Sequence, residues 1–289
     1  MCILVDRETR VIIQGITGTV GSFQSKVMLD YGTNLVAGVT PGKGGEQIHG
    51  VPVYDLVEEA MEEHGGDVIL SFVPGRFSAD AAIESINAGL KLVIMTAEGV
   101  PLYDVMRVLR LAEEKKVMVI GPDTAGVISP GRSKAGVHPN KLFREGNVGV
   151  VSKSGALSYE VSKALTEADF GQSTVVGIGG GPMWGFTQVD ALRLFQDDDE
   201  TEAVVLLGEI GGTMEEEAAE YIKKDVTKPV VSLIVGRHAP MGERMGHAGA
   251  IIQHGKGFAE DKLNVLRAAG VQVVMGPRDI PVALKDLLR

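Results

Sequence analysis

Of the six histidines in the 289-residue chain, His247 stands in a setting suited to chemistry. It lies in Arg244-Met245-Gly246-His247-Ala248-Gly249-Ala250, with small residues on both sides. There the backbone can approach a reactant and the imidazole stays reachable, whereas a core-packing histidine seldom needs such neighbours. No other His, Cys or acidic residue stands at metal-ligand spacing to it, so no metal site is expected. That leaves acid–base or nucleophilic work. His49, His64, His138, His238 and His254 sit in polar or loop-like settings and are assigned no chemistry.

A nucleophilic histidine needs its second ring nitrogen held, usually by a carboxylate. Leu207-Gly208-Glu209-Ile210-Gly211-Gly212 offers Glu209 at a strand end between glycines. A third segment, Val151-Ser152-Lys153-Ser154-Gly155-Ala156, reads as a strand, a small-residue turn and a helix start. The free N–H groups of that helix start would make an anion site. A histidine, a carboxylate and a helix N-terminus together suit transient phosphorylation of the histidine. The same three segments also read as ordinary βα turns of a parallel sheet.

Near the start, Gln14-Gly15-Ile16-Thr17-Gly18-Thr19-Val20-Gly21 follows a short apolar run. Glycines so spaced permit a tight turn and close backbone approach to a phosphate at the next helix N-terminus. An NAD site wants an acidic side chain at the end of the second strand. That strand instead runs into Gly38-Val39-Thr40-Pro41-Gly42-Lys43-Gly44-Gly45. Lys43 there suits an extra phosphate on the ribose, as in CoA or NADP. Glu98, in Thr96-Ala97-Glu98-Gly99, ends another strand. It is placed to accept a hydrogen bond from a ligand, or to serve as a helix N-terminal acid.

These residues need strands and helices to position them. Apolar runs over 11–14, 35–40, 68–73, 92–95 and 117–120 alternate with helical patterns over 22–29, 56–63, 79–87 and 103–114. The segment 121–145, rich in Gly, Pro, Ser and Lys, breaks the rhythm and reads as a loop-built connector. Strands then resume over 148–151, 174–177, 203–207, 230–234 and 271–274, with helices near 156–167, 189–195, 214–223, 259–268 and 281–288. Two tandem α/β domains with parallel sheets follow, and ligands gather at the C-terminal strand ends of such sheets.

Composition narrows the field. A net charge of −10 argues against nucleic acid as the main partner. No apolar run reaches the roughly 18 to 20 residues of a membrane span. The charged start Met-Cys-Ile-Leu-Val-Asp-Arg is unlike a secretory signal, so a soluble, cytoplasmic protein is expected. The single cysteine, Cys2, excludes an intrachain disulfide and makes a Cys-ligated metal improbable.

Over essentially its whole length the chain resembles the α subunit of succinyl-CoA synthetase, or succinate–CoA ligase. The matching runs are QGxTGxxG, GVTPGKGG, the EGxP turn, VSxSGxLxYE, GQSTxxGIGG, GEIGG, TKPV and RMGHAGAI. The resemblance implies a Rossmann-like CoA-binding domain over 1–125, a connector over 126–147 and a flavodoxin-like domain over 148–289. It implies CoA contacts at Thr17, Gly18, Thr19, Val20, Lys43, Thr96, Ala97 and Glu98, and a substrate contact at Tyr159. It makes His247 the phosphorylated residue, Glu209 its orienting carboxylate, and Ser154–Gly155 the start of the helix that steadies the phosphate. The implied reaction forms an acyl-CoA from a small carboxylic acid, CoA and ATP or GTP through phosphohistidine. The nucleotide and its Mg would be bound mainly by an ATP-grasp β subunit, in an αβ or α2β2 assembly.

Four runs depart from the family pattern. Gly-Pro-Asn-Cys-Pro-Gly appears as Gly121-Pro122-Asp123-Thr124-Ala125-Gly126, and Gly-Gly-Asp-Pro as Gly179-Gly180-Gly181-Pro182. Met183, Trp184 and Phe186 replace smaller residues, and Gly75-Arg76 stands for Ala-Pro. Succinate is the expected acid, with malate or sulfoacetate as alternatives on the same mechanism. A non-catalytic CoA-binding regulatory module would not need both His247 and Glu209. An NADP-linked oxidoreductase would not need the histidine loop.

Overall fold

The computed structural model describes residues 3–253 and 255–288. Cys2 and His254, and the expectations attached to them, lie outside the described residues. The first domain comprises β1 (Val11–Gln14), α1 (Thr19–Tyr31), β2 (Leu35–Val39), β3 (Gln47–Ile48), β4 (Val51–Tyr54), α2 (Val57–His64), β5 (Val68–Ser71), α3 (Gly75–Asn87), β6 (Leu92–Met95), α4 (Leu102–Lys115) and β7 (Met118–Ile120). Its sheet runs β3-β4-β2-β1-β5-β6-β7. Leaving out the short antiparallel β3, the strands are parallel in the 3-2-1-4-5-6 order of the Rossmann fold. The central strands β1, β5 and β6 are buried at every position, as a sheet covered on both faces requires.

The second domain adds β8 (Gly126–Ser129), β9 (Ser133–Gly136), β10 (Glu145–Ser152), α5 (Gly155–Glu167), β11 (Gln172–Gly177), α6 (Gln188–Asp197), β12 (Ala203–Glu209), α7 (Met214–Asp225), β13 (Val230–Val235), α8 (Ala259–Ala268), β14 (Gln272–Val274) and α9 (Asp279–Leu287). Its sheet runs β14-β13-β12-β10-β11-β8-β9. The parallel strands β10 to β14 have the flavodoxin-like 2-1-3-4-5 order, and the β8–β9 hairpin is added antiparallel at the β11 edge.

That hairpin corrects the reading of 121–145 as loop-built. Residues 126–136 are strand and turn, and both strands are buried on the second sheet. Their polar composition gives no apolar run, and partners far along the chain impose the strand state. The hairpin also ties the domains together. Thr33 Oγ1 donates to Lys134 O at 2.9 Å, Gly131 N donates to the Tyr31 hydroxyl at 3.0 Å, and Asn140 Nδ2 donates to Val27 O at 3.1 Å. One apolar cluster runs through both sheets, from Val11 and Ile94 to Val151 and Leu206.

Candidate active site

In the first sheet the strand order reverses beside β1, and the crevice opens there. A cleft of about 770 Å³ is lined by Gly15, Thr17–Gly21, Thr40, Pro41, Val73 and Phe77. Two helices begin at it, α1 after Gly18 and α3 after Pro74, and neither has a side-chain cap. Their first N–H groups and positive dipole ends are therefore available to an anion. A Cβ on Gly21 would strike the carbonyl of Gly15, so the close turn demands glycine there.

Thr17, Gly18, Thr19 and Val20 all line this cleft. Lys43 lies outside the lining, on an exposed loop, with Nζ 3.0 Å from Glu46 Oε1. Asp55 organises that loop by accepting from the N–H groups of Lys43 at 2.8 Å and Gly44 at 2.9 Å. The Gly44 N–H bond leads the effects that hold the Asp55 carboxyl below its usual range. Thr96, Ala97 and Glu98 also fall outside the lining. Thr96 Oγ1 donates to Ser71 O at 2.7 Å, and Glu98 O lies against Gly75 at the start of α3.

The turn at 96–98 leads on to the second domain. Asp123 N donates to Ala97 O at 3.0 Å, and Gly180 N donates to Asp123 O at 3.3 Å. Gly180 packs under the imidazole of His247, so contacts run from the 96–98 turn to the histidine.

The second site also lies at a switch point, between β10 and β12. β12 ends in Glu209, which is 38 residues from His247 in sequence. The two meet with His247 Nδ1 2.7 Å from Glu209 Oε2. An ionised carboxylate only accepts, so Nδ1 carries the proton and Nε2 keeps its lone pair. The hydrogen bond to Glu209 raises the His247 pKa, and partial burial works against it. The charges of Glu209 and Asp123 raise it further, while Lys153 opposes them. His247 belongs to the segment between β13 and α8. Gly249 N donates from this segment to Gly180 O at 3.2 Å.

A buried charge network braces the strand ends. Glu215 Oε1 accepts from Glu209 N at 3.2 Å and pairs with Lys153 Nζ at 3.1 Å. Lys262 Nζ pairs with Glu215 Oε2 and Glu216 Oε2, both at 2.7 Å. Burial alone would raise the Glu215 carboxyl, yet the two lysines hold it below its usual range. Lys153 Nζ also sits 5.0 Å from the centre of the Trp184 ring, whose Nε1 donates to Gly179 O at 2.8 Å. Trp184 and Gly181 line the approach to Gly249 beside His247.

Ser154 caps α5 by accepting from Leu157 N at 3.3 Å, and Gly155 packs beside Ala125, two residues past Asp123. Tyr159 is half-buried, edge-on to His138 and Phe143, with its hydroxyl facing Gly155. Burial raises its pKa. Among the described residues, no cluster of three or more His, Cys, Asp or Glu could hold a metal ion, and no helix is long and apolar enough to cross a membrane.

Sequence reasoning missed three participants. Asp123 stood out only as a departure from the family run, Gly180 as one glycine among many, and the Lys153–Glu215–Lys262 network not at all. The β10 end of that network was quoted in a motif, but spacing carries no sign of partners 62 and 109 residues away.

Residues 6–99 match the family described as CoA binding domain, and residues 151–272 match the family described as CoA-ligase. A protein of Archaeoglobus fulgidus named succinate–CoA ligase (ADP-forming) subunit alpha 1 is 56% identical over all of this chain and 99% of its own length. The similarly named subunit of Aquifex aeolicus is 49% identical over all of this chain and 95% of its own. Among solved structures, ATP citrate lyase from Methanothrix soehngenii, in complex with citrate and coenzyme A, superposes with a TM-score of 0.90 at 25% identity. That alignment covers 99% of this chain and 50% of the lyase, so the chain spans about half the lyase's length.

Proposed function

Because the chain belongs to the succinate–CoA ligase α-subunit family, we propose that it works with a β partner to form succinyl-CoA from succinate, CoA and a nucleoside triphosphate, with His247 carrying the phosphoryl group. A carboxylate is a poor acyl donor, and phosphorylation supplies a leaving group. Nε2 of His247 attacks the terminal phosphorus, the bond to the nucleoside diphosphate breaks, and phosphohistidine forms. A carboxylate oxygen of succinate then takes the phosphoryl group, and the CoA thiol displaces phosphate to give the thioester.

The single observation that carries this reading is the 2.7 Å contact between His247 Nδ1 and Glu209 Oε2. It fixes the tautomer that leaves Nε2 nucleophilic and stabilises charge on the ring. CoA fits the first crevice. The uncapped starts of α1 and α3 suit its pyrophosphate, and Lys43 suits its 3′-phosphate. Thr96, Ala97 and Glu98 line the route by which its thiol arm would reach His247. The start of α5 would steady the phosphoryl group through the Gly155 N–H, with Ser154 as its cap and the Ser154 N–H already donating to Ser152 Oγ at 3.1 Å, and Tyr159 would contact the acid. The chain divides for this work into a CoA-binding domain over 1–125, a connector over 126–147 that pairs with the second sheet, and a phosphohistidine domain over 148–289. The β partner would be of the ATP-grasp kind, would hold the nucleotide with Mg, and would meet the chain in the cytoplasm.

The acid is open to a second reading. Gly181 lacks the family's carboxylate, and Trp184 adds bulk against Gly249 in the histidine loop. Malate or sulfoacetate would then replace succinate on the same mechanism. The test is acyl-CoA formation by the chain copurified with its β partner, with ATP or GTP and a panel of small acids. Succinate as the best acid supports the first reading, and another acid supports the second. Absence of both product and nucleotide-dependent labelling of His247 would overturn the proposal.

A further inference from the structure

A second carboxyl lies near the imidazole of His247, beside Gly180. A Cβ on Gly180 would lie 2.6 Å from His247 Cδ2 and 2.9 Å from Asp123 Oδ2, so ring and carboxyl both border that one position. Cδ2 is bonded to Nε2, the nitrogen left free when Nδ1 donates to Glu209. Asp123 is pinned there by its backbone, through the bonds to Ala97 O and from Gly180 N. Its φ of +61° lies in the left-handed region, which Asp tolerates better than most residues.

The charged groups around this spot come from four elements. They are Glu98 after β6, Glu209 at the end of β12, His247 on its loop, and Lys153 at the end of β10, which acts on the imidazole. Burial raises the Asp123 carboxyl above its usual range. Glu98 and Glu209 add to the rise, and His247 and the Gly180 N–H oppose it.

We propose that Asp123 takes up a proton when Nε2 of His247 is phosphorylated, and that its neutral carboxyl then donates a hydrogen bond to the phosphoryl group. The proposal rests on the phosphohistidine reading above and deepens it. Two anions at one small, partly desolvated spot cannot both stay ionised without cost, and a carboxylic acid can donate where a carboxylate cannot. As the Nε2–P bond forms and the bond to the nucleoside diphosphate breaks, Asp123 takes a proton from solvent. As the phosphoryl group passes to the acid's oxygen, the Nε2–P bond breaks and Asp123 returns the proton. The phosphorylated chain therefore holds one more proton at this carboxyl. Raising the pH through the window between the free and phosphorylated titrations disfavours phosphohistidine by about tenfold per unit.

The test uses the complex of this chain with its β partner, phosphorylated by ATP and Mg. The infrared difference between phosphorylated and free complex should show a carboxylic-acid carbonyl band that grows with phosphorylation. Proton uptake in weak buffer should accompany it. In Asp123→Asn the band should vanish, and uptake should fall by about one proton per phosphohistidine. Wild-type complex carrying carboxyl-13C aspartate should show the band shifted, a measurement that needs no variant. A labelled His247 with no such band, or with a band that carbon-13 aspartate leaves in place, overturns the role of Asp123 and leaves the phosphohistidine reading standing. An unlabelled His247 overturns both.

Discussion

Gly180 lies directly beneath the ring of His247, and a Cβ at that position would stand 2.5 Å from the imidazole Cγ. Real Cβ atoms do not approach so closely, so the ring would have to leave its place. Gly180→Ala should therefore break the contact with Glu209, and a misplacement of this kind costs about 10²-fold in rate. The check is the rate of His247 labelling by nucleotide, read beside CoA binding. CoA binding should stay unchanged, because the first crevice does not involve Gly180.

Glu209→Gln should slow phosphorylation by about 10²-fold, since an amide can donate to Nδ1 and reverse the tautomer. The pH profile should shift as well. The attacking species is neutral imidazole, and Glu209 raises the His247 pKa. Wild-type phosphorylation is therefore lost as pH falls through that raised value. The acid limb should move to lower pH in the variant. An acid limb that stays in place would remove Glu209 from this role.

Lys43→Ala should raise the KM for CoA by about fivefold, the scale of an exposed charge interaction. The KM for dephospho-CoA, which lacks the 3′-phosphate, should not change. Equal effects on both ligands would mean that Lys43 shapes the loop through Glu46 and does not bind the phosphate.

Lys262→Met should cost about 3–5 kcal/mol, because it leaves Glu215 buried with half its compensation. The Lys262 side chain is 0% exposed and holds Glu215, Glu216 and the Gly212 carbonyl. The urea midpoint should fall, and His247 labelling should fall with it, since Glu215 also receives the N–H of Glu209. A lowered midpoint with unchanged labelling would separate the network from the site.

The strand-ending glycine clusters made much of this legible in sequence. The expected strands at 11–14 and 92–95 coincide with β1 and β6, because buried parallel strands are continuous apolar runs. His247 and Glu209 were readable as a pair because each sits among small residues at a strand end or loop. Less legible was the hairpin at 126–136. Ser133 and Lys134 are buried there by partners such as Thr33, 101 residues distant from Lys134. Lys134 survives burial because its Nζ donates to His138 O at 2.9 Å and Asn140 Oδ1 at 2.7 Å. The helix at 22–29 begins earlier, at Thr19, since its first turn is set by Gly18 and has no apolar signature. Asp123 carries no local signal beyond its departure from the family run, because its place is set by two backbone anchors in different domains.

The same hairpin decides where the chain can be cut and recombined. Residues 126–147 lie between the two family matches, so they would pass for a dispensable linker. They instead cover the β11 edge and bind the α1 end through Thr33, Tyr31 and Val27. A fragment beginning at 148 would present β11 as an open strand edge, a template for aggregation. A chimera built from two related chains would have to carry 126–147 with its second half, and draw the end of α1 from the same parent.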